Sequence, residues 1–191
     1  ILPLSSEYLP AAARLFAARF SALRAALPEL PPSAEDPAWA QTRLAERCAA
    51  GRALAALEGQ RLVGVLGWYV LDNFRDTPRR GAYCPEWAVT AAEQPEAVFR
   101  ALYRAAAELW TRSGWEVHAL SLLANDSAGR EAWFWNGFGM VVVDALRGLE
   151  PLEAAVPAEL TLRKAGLEDA RRLARIEAEH WRHYIEPPIF M

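Results

Sequence analysis

Behind a short apolar opening, "ILPLS", the residues Leu9, Ala13, Phe16, Phe20, Leu23 and Leu27 recur every three or four positions. That spacing puts them on one face of an amphipathic helix. Pro28, Pro31 and Pro32 stop the pattern. Asp36 followed by Pro37 predicts an N-cap with proline at the first helical position, opening a second helix that Gly51 closes. Two apolar runs then flank "EGQR", the pattern of a β-hairpin. A polar loop spans 72–80, and "GAYCPEWAV" predicts one further strand. From Pro95 to Ser113 the apolar positions Val98, Leu102, Ala105 and Leu109 return to helical spacing. "EVHALSLLA" predicts a buried strand, "NDSAGREAWFWNGFG" a short helix capped by Asp126 or Ser127 and ended by Gly137, and "MVVVDALR" a last strand.

The predicted order is therefore β-α-α-β-β-β-α-β-α-β over residues 1–147, an α/β fold with a mixed central sheet. Residues 148–158, within "GLEPLEAAVPAE", have the composition of a linker. The tail, 159–191, then repeats the opening: a short strand at 160–165, an acidic helix start, and an amphipathic helix over 167–184 that runs into Pro187 and Pro188. Laid on the N-terminus, it pairs Glu7 with Glu168, Arg14 with Arg175 and Leu15 with Ile176. This pattern predicts the first strand and helix of a second copy of the same domain. A C-terminal helix packed on the first domain is the alternative. The chain opens on Ile1 and closes on "PPIFM", which suggests a piece of a longer polypeptide.

Composition changes little in this picture. The chain has 191 residues, 53% hydrophobic, with a formal net charge of -3, and no clustered basic face that would suit nucleic acid or an anionic membrane. No apolar run is long enough to span a bilayer. Cys48 and Cys84 are the two cysteines, and two isolated thiols fit a reduced, cytoplasmic chain better than a disulfide framework.

Candidate chemistry centres on "PEWAVTAAEQPEAVFRAL" and "SLLANDSAGREAWFWNGFG". With the order of elements around them, these stretches resemble the GNAT superfamily of acetyl-CoA-dependent N-acetyltransferases. In that family a central strand enters a loop of the form Arg/Gln-x-x-Gly-x-Gly/Ala that starts the next helix. The matching positions here are Gln94, Pro95, Glu96, Ala97, Val98 and Phe99, followed by Arg100. The resemblance implies that free N–H groups at this helix start hold the pyrophosphate of acetyl-CoA. It also implies that the backbone of Trp87, Ala88 and Val89 holds the pantetheine arm, and that Asn125 bonds a pantetheine amide unless it caps its helix. Ala97 and Phe99 stand where the family has glycine. A ring at Phe99 is expected in or beside the phosphate seat, and Glu96 adds a negative charge, so cofactor binding is expected to be weakened.

The family often carries a tyrosine four residues before the Gly137-Phe138 pair, where it protonates the leaving thiolate; Trp133 stands there, and an indole N–H cannot deliver a proton. A base for the attacking amine is sought first at Glu86, with Tyr83, Asp72 and Asp76 behind it. Glu177, His180 and His183 have the spacing of a metal-binding helix face but lack a matching pair elsewhere. Trp133, Phe134, Trp135 and Phe138 fit packing better than an aromatic cage. The resemblance thus implies acetyl transfer to a small-molecule or peptide primary amine. The rival reading is a degenerate, non-catalytic lobe serving as scaffold or interface for a catalytic second lobe; the partner expected is a second such lobe or a homodimer.

Overall fold

The computed structural model describes residues 1–191 except 75, 76, 93, 152–158 and 186–191, without the side chains of 181–185. Two units are present, Ile1–Gly139 and Met140–Met191.

In the first unit, strand β1 (Leu2–Pro3) precedes helices α1 (Leu9–Arg24) and α2 (Pro37–Ala49). Asp36 caps α2 as predicted, its carboxylate accepting from the Ala38 N–H at 2.9 Å. The hairpin also forms: β2 (Ala53–Glu58) and β3 (Arg61–Gly67) pair antiparallel around Gly59, whose φ of 61° a side chain would resist. Then come β4 (Tyr69–Leu71), β5 (Gly81–Cys84), β6 (Val89–Ala91), α3 (Pro95–Arg112), β7 (Val117–Leu120) and α4 (Ser127–Trp135). The strands form two sheets, β1-β2-β3-β6 and β4-β5-β7, with β5 and β7 parallel and the other pairs antiparallel.

The chain covers both faces of this sheet system. One core joins α1 and α2 through Ala13, Phe16, Phe20 and Leu44 to Ala55 and Val65. The other joins α3 and α4 through Phe99, Leu102, Ala106 and Trp133 to Leu66, Val89 and Cys84. Each large side chain so buried contributes roughly 1.5–3 kcal/mol. Gly64 on β3 lets α3 approach: a Cβ there would strike the Val98 side chain and sit 3.1 Å from Leu102 Cδ1.

"GAYCPEWAV" is not one strand. It breaks after Cys84 into a single 3-10 turn, Glu86–Ala88, before resuming as β6. Opposite it, β3 and β4 continue through Trp68, so two residues (67 and 68) face five (84–88) between the Leu66–Val89 and Tyr69–Tyr83 pairs. The surplus residues leave the ladder as a bulge that re-aims the strand.

Residues 140–147 likewise form no strand; Val141, Val142 and Val143 are exposed in coil. β-branched residues favour a strand only where a neighbouring strand takes their backbone groups. The same reason applies at 160–165, expected as a strand and observed as coil: in the first unit β1 is held by β2, and no described residue pairs with 160–165 in that way. The tail's helix does form, α5 (Ala170–Ile185), preceded by a 3-10 turn at Leu167–Asp169. No helix among the described residues is long and apolar enough to cross a membrane.

Both cysteines are free thiols, Cys48 donating to the Leu4 carbonyl at 2.9 Å and Cys84 fully enclosed beneath α3. Burial pushes the Cys84 thiol far above the usual thiol range. Alkylation of the native protein should therefore modify Cys48 alone, and a second equivalent should react only after denaturation. Equal labelling rates at the two sites would contradict the enclosed position of Cys84.

Candidate active site

The bulge decides where a site can lie. The pairing of β5 with β7 ends at Cys84–Leu120, extended only by the Ser121 N–H donating to the Cys84 carbonyl at 2.9 Å. Beyond this point β6 pairs with β3 alone among the described residues. Ala92 donates to the Val63 carbonyl at 2.8 Å, so the alternation of an antiparallel ladder turns the Ala91 N–H and the Val89 and Ala91 carbonyls away from β3. Past the Ser121 N–H no described residue after β7 pairs with β6, so these outward groups of β6 have no strand partner on that side.

Of the three positions expected to present backbone here, Trp87 and Ala88 belong to the 3-10 turn, with their side chains buried. The Val89 N–H is taken by the Glu86 carbonyl, leaving its carbonyl free to face the opening. Ala91 supplies the outward N–H. Sequence could not find it, because a one-residue change in where the bulge closes exchanges inward and outward groups.

At the end of β6 the chain turns into α3 through Gln94, which holds φ 52° and ψ 57°, the left-handed region, alone in this among the described non-glycine residues. Such a conformation costs roughly 1–2 kcal/mol. It curls successive N–H groups toward one point, as anion-binding turns do, although Pro95 withholds one donor. The Glu96 and Ala97 N–H groups precede the first helical bonds and belong to exposed residues, while Val98 donates to the Gln94 carbonyl at 3.4 Å. The charge of Glu96 is matched by Arg100 one turn on, an exposed ion pair.

Phe99 does not stand in the phosphate seat. It is 0% exposed, turned into the core against Trp133 with ring centroids 5.2 Å apart. Five residues past the N-cap Gln94, the helix has rotated this position onto its sheet-facing side. What remains of the expected obstruction is the Cβ of Ala97.

Asn125 neither caps α4 nor faces the opening. Its amide donates to the Leu23 carbonyl at 2.7 Å, one of the last-turn carbonyls of α1. Asp126 is the cap, accepting from Gly129 N–H at 2.8 Å, and it also forms a largely buried ion pair with Arg19. These two links fasten α1 to the turn before α4.

Between them lies a shallow cleft, open to solvent, whose enclosed space is about 20 Å³, room for roughly one water molecule. Its walls are Phe16, Phe20 and Leu23 of α1, Leu122 and Leu123 after β7, and Val89, with Arg19, Asp126 and Glu86 as its charged groups. Glu86 is half-buried and its carboxylate has no hydrogen-bond or ion-pair partner among the described residues. The other candidate bases are engaged elsewhere: Tyr83 shares a 2.8 Å hydrogen bond with Ser121, and Asp72 is an exposed partner of Arg80 at 2.8 Å. Asp76 lies outside the described residues.

Trp133 lies between α3 and α4 against Phe99, Tyr103 and Phe138, its Nε1 buried without a partner and away from the cleft walls. Phe134 and Trp135 are exposed and point away from that cluster, so the four aromatics do not form a cage. No group of three His, Cys, Asp or Glu side chains among the described residues is placed to hold a metal ion, and the side chain of His183 lies outside them.

Compared by sequence, the chain matches no family profile and no curated protein. Compared by structure, it is similar to a protein solved as the tetramutant of BH1408 from Bacillus halodurans, with a TM-score of 0.61 and 10% identity over 76% of this chain and 97% of that one. It is also similar to a GCN5-related N-acetyltransferase from Ralstonia eutropha JMP134, with a TM-score of 0.54 and 15% identity over 79% and 96% of the two chains. A probable acetyltransferase gives a TM-score of 0.52 and 16% identity over 80% and 97%. The chain has the mixed α/β fold of GNAT acetyltransferases.

Proposed function

We propose that this fold carries acetyl-CoA-dependent transfer of an acetyl group to a primary amine, with Glu86 as the base. The observation that carries the reading is that Glu86, on the bulge, lines the cleft and has no side-chain partner among the described residues. A half-buried carboxylate ordinarily finds an arginine; this one, in the turn at the bulge, has none among the described residues. Acetyl-CoA supplies the activated acyl group. On the protein side, the donors available to it are the exposed N–H groups of Glu96 and Ala97 and the outward Ala91 N–H. Glu86 accepts a proton from the ammonium, freeing the lone pair that forms the C–N bond as the C–S bond breaks. The nitrogen's second proton leaves as the amide forms and passes through water to the departing thiolate, because the indole of Trp133 cannot deliver one.

A binding experiment tests the reading first. A ligand present at about 100 times its Kd stabilises a fold by ~2.7 kcal/mol, several degrees of melting temperature for a unit of this size. With millimolar acetyl-CoA the melting temperature should rise, and Ala97→Gly should enlarge the rise by removing the one Cβ left at the seat. That substitution costs at most about 1 kcal/mol of helix propensity. No rise in either protein would refute cofactor binding by this unit.

A second reading has its own support. The 3-10 turn and helix of the tail, Leu167–Asp169 and Ala170–Ile185, match Ser6–Tyr8 and Leu9–Arg24 with one constant offset of 161 residues. The same offset aligns Glu7 with Glu168 and Arg14 with Arg175. The tail then begins a second lobe, and the links from Arg19 and Asn125 that hold α1 over the cleft suit a first lobe serving as its scaffold.

A further inference from the structure

Where α2 meets β4, an arginine is buried without an acceptor. The Arg47 side chain is 12% exposed, the least of the described ion-paired arginines, yet its guanidinium makes no hydrogen bond to the protein. Its carboxylate neighbour is Glu46, 3.6 Å away and itself 62% exposed. Adjacent residues on a helix do not face each other, so Glu46 is not placed to close that gap. We infer that Arg47 binds the carboxylate of a small organic ligand. The inference does not depend on acetyl transfer.

The guanidinium is held ready. Its central carbon lies 4.0 Å over the ring of Tyr69, and Trp87 meets the same ring edge-on with centroids 6.1 Å apart. The stem passes Gly67, where an added Cβ would stand 3.6 Å from Arg47 Cγ. Nε is buried, whereas Nη1 and Nη2, equally without hydrogen bonds, keep access to solvent. A planar fork fixed on a ring, with its outer end open, has given up most of its freedom before a ligand arrives.

Charge selects the ligand. Arg43, one turn earlier on the same face of α2, lies over Trp39 at 3.7 Å and donates to the Trp39 carbonyl at 2.9 Å. It has no carboxylate partner among the described residues. Like charges four residues apart weaken a helix, and an anion on this face relieves them. Two arginines and Glu46 leave one positive charge uncompensated, which a monoanion matches. A carboxylate also fits the fork in shape, its two oxygens meeting Nη1 and Nη2 in parallel. A phosphate dianion would leave negative charge in excess beside Glu46.

Nitrogen-15 NMR of the intact chain, titrated with sodium acetate and with sodium chloride at equal ionic strength, tests this. The Arg47 Nε–H and Tyr69 ring signals should shift saturably at millimolar acetate and stay still in chloride. Exposed Arg100 and Arg112 should respond alike to both salts. In Arg47→Lys, which keeps the charge and loses the fork, the Tyr69 ring should no longer respond. Arg43→Gln should weaken acetate binding about threefold. Inorganic phosphate at neutral pH should bind no more tightly than acetate. Glycine binding more tightly than triglycine places the carboxylate on a free amino acid, the reverse on a peptide terminus, and both uphold the site. No shift in acetate beyond that in chloride, or tighter binding of phosphate, would overturn it. If Arg47→Lys does not fold, Arg43→Gln decides: weaker acetate binding upholds the site and unchanged binding overturns it.

Discussion

Phe99→Ala should destabilise the first unit by about 3–5 kcal/mol, the range for removing a fully buried aromatic ring. The ring is enclosed between α3 and α4, against Trp133 at 5.2 Å, and belongs to the same core as Leu66, Val89 and Ala91. Removing it leaves a cavity that Trp133 cannot fill, because Tyr103 and Phe138 hold the indole from other sides at 5.8 and 5.1 Å. Native domains are stable by only about 5–15 kcal/mol, so the variant should melt on the order of 10 °C lower. In urea the midpoint should fall with an unchanged slope, the sign of lost stability without a change in the surface exposed. The substitution is not a route to restoring a glycine-bearing phosphate loop; it opens the core beneath that loop. A loss below about 1 kcal/mol would mean that the ring points outward after all.

Glu86→Gln should lower kcat for acetyl transfer by roughly 100- to 10,000-fold, the span for removing a general base. The melting temperature should hardly move, because the carboxylate makes no hydrogen bond or ion pair among the described residues that the amide would break. The two readouts together separate a chemical role from a structural one. Residual activity in the variant should rise about tenfold per pH unit below the amine's own pKa, near 10.4 for a lysine-like amine, since free base must then come from solution. A variant with unaltered kcat would remove Glu86 from the mechanism. It would not restore Tyr83 or Asp72, whose polar groups are held by Ser121 and Arg80.

These two residues show where reading the chain succeeds and where it stops. The helices at Leu9–Arg24, Pro37–Ala49 and Pro95–Arg112 were legible because 3.6-residue periodicity, the Asp36-Pro37 cap and the prolines are local properties. So was the hairpin around Gly59. Glu86 was legible as a candidate from its place between a strand and a helix-entering loop. Its place in the lining of the cleft and lack of a partner were not, because these depend on a bulge whose length is set by the pairing of 84–88 against only residues 67 and 68.

The strands predicted at 140–147 and 160–165 failed for a related reason. A helix satisfies its own backbone, whereas a strand exists only through a neighbour, and apolar alternation does not say whether one is present. Phe99 was misplaced by matching it to a motif letter instead of following the helix around from Gln94. Asn125 and Asp126 are adjacent in the chain, yet one joins Leu23 and the other joins Arg19, more than a hundred residues away. The sequence by itself determined the helices, the hairpin, the cap and the position of the strand-to-helix turn, all of which rest on contacts within a few residues. Only the tertiary structure decided which backbone groups face the opening, which carboxylate stands free and which is bound, and what α1 brings to the cleft, because each depends on partners that meet only when the chain has folded.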